Sequence, residues 1–378
     1  MKKLQFEIND YSVLFNNEKI RLLPKEYHLL KCLYENMNQT LSRQSLLDKV
    51  WAMEDPTDRT IDDHVYRLRK KLSFLDNILI ETVRGVGYRL TLKQNHQDNP
   101  LYHDKEFRES MDVLYNKYIL YGQANGLKTI VMQHEALDIP IEVHKKIYLH
   151  FVQGDFQWFV TSSDIPLSQK LFYLLHIYWM IQFNIDKTYA YVQKALRLKM
   201  IPFQQQQELE ELAMIGINID KGNFEDAKKK INLVRSQIEQ GAVHESILTY
   251  LKIQEIKNKL LTRNFHSVET HMAEGDQLFE KYPFLREKGR FLMLKGFTKW
   301  MKGYEKEALQ QMDEGFMILL SSKFVPHIIN GVRDIILLSN HLAIDLPHDY
   351  KNKWESFSEK YDFPRLTVKI EQLLNKCL

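Results

Sequence analysis

The sequence predicts a multi-domain protein in which a small domain of mixed α and β structure precedes a much larger all-helical domain. Over residues 4–22 the apolar positions alternate as they do in β-strands, and helical spacing begins after Pro24. From about residue 105 to the end of the chain helical periodicity dominates, without a convincing β-run. We therefore expect domains at residues 1–92 and 105–378, joined by a polar linker at 93–104.

The composition is that of a folded protein with a slight excess of positive charge near its beginning. Of the 378 residues, 44% are hydrophobic and 27% are charged, and the formal net charge is +3. Residues 1–95 contain 16 Lys and Arg against 13 Asp and Glu, whereas the remainder contains 36 of each kind. The excess of positive charge thus lies in the first quarter of the chain. A polyanion such as a nucleic acid would therefore be expected to bind there.

Cysteine usage and hydropathy predict a cytoplasmic protein with no contact to a membrane. The two cysteines, Cys32 and Cys377, have no metal-ligand neighbours and do not form a disulfide framework. The basic start of the chain is not followed by the apolar stretch of a signal peptide. The most apolar run, Leu171–Ile181, is too short to span a bilayer and is expected to be a buried helix.

The first elements are predicted to be three short strands and a helix. The alternating runs within residues 4–22 are separated by the turn-formers Asn9-Asp10 and Asn16-Asn17, which favour a small antiparallel sheet. Pro24 suits the first turn of a helix, where a missing N–H costs nothing. The apolar face of this helix has four members: Tyr27, Leu30, Leu33 and Tyr34.

A second helix is predicted to begin after Ser42, whose hydroxyl is a favoured N-cap. Its inward-facing residues are Leu46, Leu47, Val50 and Trp51. A loop that contains Pro56 then leads to a third helix.

The third helix has two contrasting faces. At 100° per residue, four aliphatic side chains fall within about 60° of one another: Ile61, Val65, Leu68 and Leu72. The opposite face carries Arg59, Asp63, Tyr66, Arg67 and Lys70, with His64 and Arg69 on the flanks. Two short β-runs then surround Gly85-Val86-Gly87, where the glycines permit a tight turn. A basic helix followed by such a β-wing is typical of winged-helix DNA-binding domains.

The same residues resemble a known family. Residues 21–90 resemble the DNA-binding domain of OmpR/PhoB-type response regulators, and the matching segments are Leu23-Pro24-Lys25-Glu26, Leu29-Leu30, Ser42-Arg43, Leu46, Val50-Trp51, Arg59-Thr60-Ile61-Asp62, His64, Arg67-Leu68-Arg69-Lys70-Lys71-Leu72 and Thr82-Val83-Arg84-Gly85-Val86-Gly87-Tyr88-Arg89. In that family the domain normally follows a phosphorylated receiver domain. No receiver domain precedes it in this sequence, so control by aspartyl phosphorylation is not expected.

The candidate DNA contacts lie on the third helix and the wing. Arg67 is the first choice for a base contact, because a guanidinium can donate two parallel hydrogen bonds to guanine. Tyr66 is expected either to pack on a thymine methyl group or to bond a phosphate. Arg84 at the wing tip suits a narrow minor groove, and Thr82 suits a nearby phosphate.

Three further side chains are expected at the DNA backbone, and one more is added by the family resemblance. Arg59, His64 and Lys70 are expected to bind phosphates, which sets register but reads no sequence. His64 could equally be a packed or capping histidine. The resemblance marks Arg69 as a phosphate contact.

The helical region contains a loose repeat. Lys221-Gly222-Asn223-Phe224 recurs as Thr262-Arg263-Asn264-Phe265 and as Lys302-Gly303-Tyr304-Glu305, with the aromatic residues 41 and 39 positions apart. Each copy places a turn between two helical stretches, which indicates stacked helical hairpins. The pattern resembles the tetratricopeptide repeat (TPR), although its spacing is longer than in that repeat. We therefore expect a TPR-like α-helical solenoid.

No catalytic motif accompanies these elements. The sequence lacks a GxxxxGK[ST] phosphate loop and the HExxH, CxxC and GxSxG motifs, and its histidines lack metal-ligand spacing. We therefore expect no enzymatic activity, no cofactor and no metal.

Two hypotheses for the function follow. The first is a bacterial, sequence-specific transcription regulator that binds double-stranded DNA, contacts RNA polymerase and forms a homodimer. Its helical domain would sense a peptide, protein or small ligand. The alternative is an adaptor whose solenoid captures a partner protein, with the winged helix as a docking module.

Overall fold

A computed structural model describes residues 4–15, 18–37, 39–51, 57–72, 78–92, 100–137, 139, 141–162 and 165–378. The chain divides into two compact units, Met1–His103 and Asp104–Leu378. The turn expected at Asn16-Asn17, the loop at Pro56 and residues 93–99 of the expected linker lie outside the described residues. Within that expected linker, Pro100–His103 forms a short helix, α4, rather than irregular chain.

The first unit begins with the predicted antiparallel sheet. Its strands are β1 (Gln5–Glu7), β2 (Ser12–Phe15) and β3 (Glu18–Arg21), in that order across the sheet. Val13 is paired with Phe6 on one side and with Ile20 on the other. A short 3-10 turn at Ile8–Asp10 connects β1 to β2, where the sequence predicts a turn.

Three helices and a second sheet complete this unit. The helices are α1 (Pro24–Glu35), α2 (Arg43–Val50) and α3 (Asp58–Leu72). The strands are β4 (Leu41–Ser42), β5 (Ile78–Val83) and β6 (Gly87–Leu92), antiparallel in the order β4-β6-β5. The Ser42 hydroxyl accepts a hydrogen bond from the Ser45 amide at 3.1 Å, which confirms the predicted N-cap of α2. The unit is a small α+β winged-helix fold, as expected.

The second unit is helical. Its helices are α5 (Lys105–Tyr121), α6 (Ala124–Met132), α7 (Val143–Gln153), α8 (Phe156–Thr161), α9 (Leu167–Ile181), α10 (Ile185–Leu198), α11 (Phe203–Glu208), α12 (Met214–Lys221), α13 (Phe224–Glu239), α14 (Leu248–Leu261), α15 (Phe265–Lys281), α16 (Leu285–Met301), α17 (Glu305–Ser322), α18 (Val325–Leu342), α19 (His348–Tyr361) and α20 (Phe363–Cys377). A five-residue π-helix, Leu209–Ala213, continues α11 into α12. None of the described residues of this unit lies in a β-strand.

The three repeat copies form three helical hairpins with closely similar turns. The hairpins are α12–α13, α14–α15 and α16–α17, and their turn residues Gly222, Arg263 and Gly303 have φ angles of 85°, 56° and 85°. In each turn the next amide, of Asn223, Asn264 or Tyr304, donates to the carbonyl five residues earlier at 2.8, 2.9 or 3.1 Å. These bonds satisfy carbonyls that the end of a helix leaves free. The predicted repeat therefore corresponds to a repeated backbone turn.

The helix α18 lies at the centre of the second unit. Twelve of its eighteen residues are buried, including charged ones. It contacts not only its chain neighbours α17 and α19 but also α7, α9, α14 and α16. Because most of its residues are buried, α18 packs against helices that come from distant parts of the sequence of this unit.

A buried charge cluster joins α18 to three other helices. Lys257 of α14 lies 2.6 Å from Asp334 and 3.2 Å from Asp220 of α12, and Arg290 of α16 donates to Asp334 at 2.5 Å. Arg333, beside Asp334 on α18, donates to Asp220 at 2.8 Å. Burial alone would raise the pKa of Asp334, but Arg290 and Lys257 outweigh burial and hold it at about 2. Both carboxylates are thus held by cations on neighbouring helices.

The apolar run at Leu171–Ile181 belongs to α9, where ten of fifteen residues are buried. It packs in a cluster with Phe156 and Phe159 of α8 and with Leu366 and Ile370 of α20. The run is therefore a buried helix, as expected. Among the helices of the described residues, none has the length and apolar character needed to cross a membrane.

Candidate DNA-binding interface

The helix α3 separates its aliphatic and polar faces as predicted. Its seam is buried, with Ile61, Val65, Leu68 and Leu72 no more than 2% exposed. Arg59, Asp63, Tyr66, Arg67 and Lys70 are exposed on the other side. Tyr66 leaves 68% of its surface open to solvent, although a tyrosine ring is mostly apolar.

A polar cluster fixes α3 against α2 and the wing. Tyr88 of β6 donates its hydroxyl to Asp62 at 2.6 Å, and Arg43 of α2 donates to the same carboxylate oxygen at 2.9 Å. The hydrogen bond from Tyr88, together with Arg43, lowers the pKa of Asp62. The Arg43 guanidinium also lies over the Tyr88 ring, 5.0 Å from its centre. The position of the exposed face of α3 is therefore set by three side chains from three elements.

These positioning roles are not predicted by the sequence analysis. The sequence gives little signal for Asp62, because Tyr66 and Arg67 also adjoin the apolar seam and are exposed.

Two of the candidate DNA contacts, Arg69 and Thr82, are bonded to each other. Arg69 donates to the Ile80 carbonyl at 2.8 and 2.5 Å and to the Thr82 hydroxyl at 2.8 Å. These bonds tie the end of α3 to β5, so that the helix and the wing share one orientation. In this arrangement the Arg69 guanidinium already donates hydrogen bonds to Ile80 and Thr82. A DNA phosphate would have to accept from the same guanidinium alongside them.

The ring of His64 is packed rather than fully exposed. Its Nδ1 lies 2.7 Å from the Thr60 carbonyl, one turn earlier in α3. The ring also contacts Trp51 edge to face, with 5.1 Å between the ring centres. The half-buried position agrees with the packed alternative considered for this histidine.

The wing presents Arg84 at its tip. Arg84 is exposed and precedes Gly85, whose φ of 74° lies in the left-handed region. The Val86 amide closes the turn on the Val83 carbonyl at 3.0 Å. At Gly87 a side chain is excluded by steric clash, since a Cβ there would lie 2.0 Å from the Leu41 carbonyl oxygen of β4. The tight turn therefore places the exposed Arg84 at the tip of the wing.

The structure thus brings the sequence-predicted residues to one region with a net positive charge. The exposed cations include Arg59, Arg67, Arg69, Lys70 and Arg84, and Asp62 and Asp63 are exposed carboxylates on the same helix. Among the described residues, no group of three or more His, Cys, Asp or Glu side chains is arranged to hold a metal ion. Positive charge on a protruding helix and turn matches the polyanionic surface of duplex DNA.

Comparison with known proteins agrees with this geometry. The N-terminal unit has the fold and the surface of a winged-helix DNA-binding domain of transcription regulators. Residues 17–90 match the family described as "Transcriptional regulatory protein, C terminal", which is the OmpR/PhoB type of DNA-binding domain. The matched domain covers the predicted wing and recognition helix, and the remaining helical unit lies outside the match.

Relatives in bacteria share this domain and not the whole chain. The transcriptional regulatory protein SrrA of Staphylococcus aureus is 40% identical over 100 residues, which are 25% of this chain and 42% of that protein. The DNA-binding domain of Bacillus subtilis CssR is 33% identical, with 24% of this chain and 100% of that structure covered and a TM-score of 0.21. The C-terminal DNA-binding domain of RstA from Klebsiella pneumoniae is also 33% identical, with 24% and 84% covered and the same TM-score of 0.21.

Proposed function

We propose that this protein is a sequence-specific transcription regulator that inserts α3 into the major groove of DNA and the β5–β6 wing tip into the adjacent minor groove. The exposed face of α3, with Tyr66 and Arg67 at its middle, is the observation that carries the proposal. Arg67 reads a base, and Arg84 enters the minor groove. Arg59, Lys70, Thr82, Arg69 and His64 contribute to the phosphate contacts.

The internal bonds of α3 preorganise this interface. Because Asp62 is held by Arg43 and Tyr88, and Arg69 by β5, the helix and the wing do not need to be ordered when DNA binds. A preordered interface loses less conformational entropy on binding. Asp62 and Arg43 position the interface, and Arg67 and Arg84 make its main contacts. Arg69 does both, since it is bonded to β5 and also contributes to a phosphate contact.

The helical unit is proposed to be a TPR-like array that senses a ligand, mediates dimerisation, or does both. The repeated turns at Gly222, Arg263 and Gly303 support the array. Dimerisation is proposed because a single winged-helix module buries about 600–1,000 Å² on DNA, which is small for operator affinity. The proposal includes contact with RNA polymerase, a cytoplasmic location and the absence of catalytic activity. Sedimentation of the purified chain with and without DNA would show the number of protomers bound.

DNA binding by fluorescence anisotropy tests the interface directly. The duplex is the region upstream of the protein's own gene, with an unrelated duplex as competitor. Each of Arg67→Ala and Arg84→Ala should weaken binding by about tenfold, since a base contact contributes about 1–3 kcal/mol. The matched control is Arg21→Ala, which removes an exposed arginine of β3 and should leave affinity unchanged.

The double variant decides the groove assignment. If Arg67→Ala with Arg84→Ala binds the duplex as tightly as the unaltered protein, α3 and the wing are not the interface. The salt dependence provides a second readout, because each phosphate contact releases counterions and steepens the fall of affinity with salt. An affinity that hardly changes between low and moderate salt would also contradict the proposal.

A further inference from the structure

The second unit contains a pocket between α15 and α16 that the DNA-binding proposal does not use. Its volume is about 520 Å³, and six of its twelve lining residues are apolar. Its floor is formed by Leu260, Val268 and Met272, all less than 10% exposed. Small-molecule pockets usually have volumes of about 300–1,000 Å³ and apolar walls with a few polar groups, and this pocket has both properties.

The aromatic residues of the repeat differ in exposure, and Tyr304 of the third copy is 59% exposed. Phe224 and Phe265 occupy the same position in two successive hairpins. Phe224 is half-buried and packs on the core, whereas Phe265 is 45% exposed at the edge of the pocket. Covering an exposed phenyl ring beside an apolar floor with a ligand is favourable, because apolar surface is removed from water.

The charges around the pocket do not balance. Its two carboxylates are neutralised across the gap between the helices: Asp276 of α15 binds Lys295 of α16 at 2.6 Å, and Glu269 binds Lys302 at 2.6 Å. A third lysine, Lys299, is half-buried in the same lining. Within the part of the chain that the structure describes, its ammonium group has neither an ion-pair partner nor a side-chain hydrogen bond. The pocket thus combines an apolar floor with one unneutralised cation.

We infer that this pocket binds a small amphipathic anion, with its apolar body on Phe265 and Met272 and its carboxylate or sulfonate group against Lys299. A half-buried ammonium is attracted more strongly by an anion than an exposed one, because the protein around it screens charge less than water does. A neutral ligand of the same shape would leave Lys299 without a partner. Binding here does not depend on DNA binding by the first unit, so the two proposals can fail separately.

Fluorescence titration of the full-length protein with anilinonaphthalene sulfonate, which joins an aromatic body to one anionic group, tests the site. The unaltered protein should bind the probe saturably, and Lys299→Glu should weaken binding by about tenfold or more through charge reversal. Lys228→Glu is the matched control, since it reverses an exposed lysine on α13, outside the pocket, and should leave binding unchanged. Ala273→Trp, which places a large ring on the exposed wall, should weaken binding without loss of helix content.

Competition separates the charge from the apolar body. Decanoate should displace the probe from the unaltered protein at a concentration about tenfold lower than decanol, and in Lys299→Glu this preference should disappear. The inference is overturned if the unaltered protein does not bind the probe saturably. It is equally overturned if Lys299→Glu binds as the unaltered protein does, or if decanol competes as well as decanoate.

Discussion

At the scale of single residues, the candidate interface contains side chains of two kinds. Arg67 and Arg84 have their guanidinium groups at the exposed surface, whereas Arg69 is bonded to β5 and Asp62 to two neighbouring elements. The first kind can contact DNA directly. The second kind holds α3 and the wing in position. Substitutions of the first kind should therefore change DNA affinity, and substitutions of the second kind should also change the local stability of α3 and the wing.

Asp62→Ala should loosen α3 and the wing together. The change leaves Tyr88 and Arg43 without their shared acceptor, and we expect a loss of about 1 kcal/mol in local stability because the carboxylate is partly solvated. Hydrogen exchange should become faster in residues 58–72 and 87–92. Asp63→Ala is the control, since its exposed carboxylate has no ion pair with a described residue. Equal exchange in both variants would show that the cluster does not position the helix.

Asp334→Asn should strongly destabilise the helical unit. Arg290 would lose its buried carboxylate and Lys257 would keep only Asp220 of its two, and breaking a buried ion pair in this way costs about 3–5 kcal/mol. Chemical unfolding followed by circular dichroism should show a lower midpoint. The exposed pair of Lys302 and Glu269 gives the control, because Glu269→Gln should cost less than about 1 kcal/mol.

The same carboxylate predicts an acid transition. The folded pKa of Asp334 is about 2, below its ordinary value of 3.8, so the unfolded chain takes up its proton at a higher pH than the folded protein does. The stabilisation from Asp334 is therefore complete above about pH 4 and is lost as the pH falls towards 2. Thermal unfolding temperatures measured across this range should fall more steeply for the unaltered protein than for Asp334→Asn. Parallel curves would contradict the assignment.

At the scale of elements, each helical hairpin has one residue with a positive φ in the turn between its two helices. Gly222, Arg263 and Gly303 all have positive φ, which glycine adopts freely and a residue with a Cβ adopts at a cost. Hydrogen bonds in the turn hold Arg263 in the same conformation.

Two opposite substitutions test this view of the turns. Gly222→Ala should lower the stability of the helical unit by about 1 kcal/mol. The added Cβ would contact no neighbouring atom, so this cost is the backbone strain of alanine at a positive φ. Arg263→Gly should raise stability or leave it unchanged, because relief of strain opposes the greater freedom of the unfolded chain. Thermal unfolding by circular dichroism measures both. A stabilising Gly222→Ala would refute the argument.

The sequence predicts features that depend on local spacing, but not those that depend on tertiary packing. The strands of the first sheet, the N-cap at Ser42 and the seam of α3 follow from local spacing and capping, and the structure has them. The buried cluster of Asp220, Lys257 and Asp334 does not follow, because its members lie 37 and 77 positions apart and meet through tertiary packing. In the interface the exposed face of α3 could be predicted, but the engagement of Arg69 by β5 could not, since a helix period does not show which neighbour a flanking side chain meets.

At the scale of the whole molecule, the helical unit differs from a simple stack of repeats. In a stack each hairpin contacts the next, and stability is a sum of local terms. Here α18 contacts α7, α9, α14 and α16, which are far apart in the sequence. We therefore expect the described helices of this unit to unfold together and not hairpin by hairpin.

Val332→Ala tests this cooperativity. The side chain is fully buried on α18, and its truncation should cost about 2 kcal/mol. Hydrogen exchange should accelerate by a similar factor in α9 and in α16. The matched control is Val368→Ala on α20, where the side chain is 54% exposed and the change should have little effect. Acceleration confined to α18 and its chain neighbours would show that the hairpins unfold separately.

The central position of α18 also matters while the polypeptide is being made. Residues 325–342 are translated after α7, α9, α14 and α16. Until α18 is made, the apolar surfaces of these four helices that it will cover remain exposed. Premature termination between the first unit and this helix would leave a translated DNA-binding domain joined to an incomplete helical unit, which chaperones and proteases would recognise.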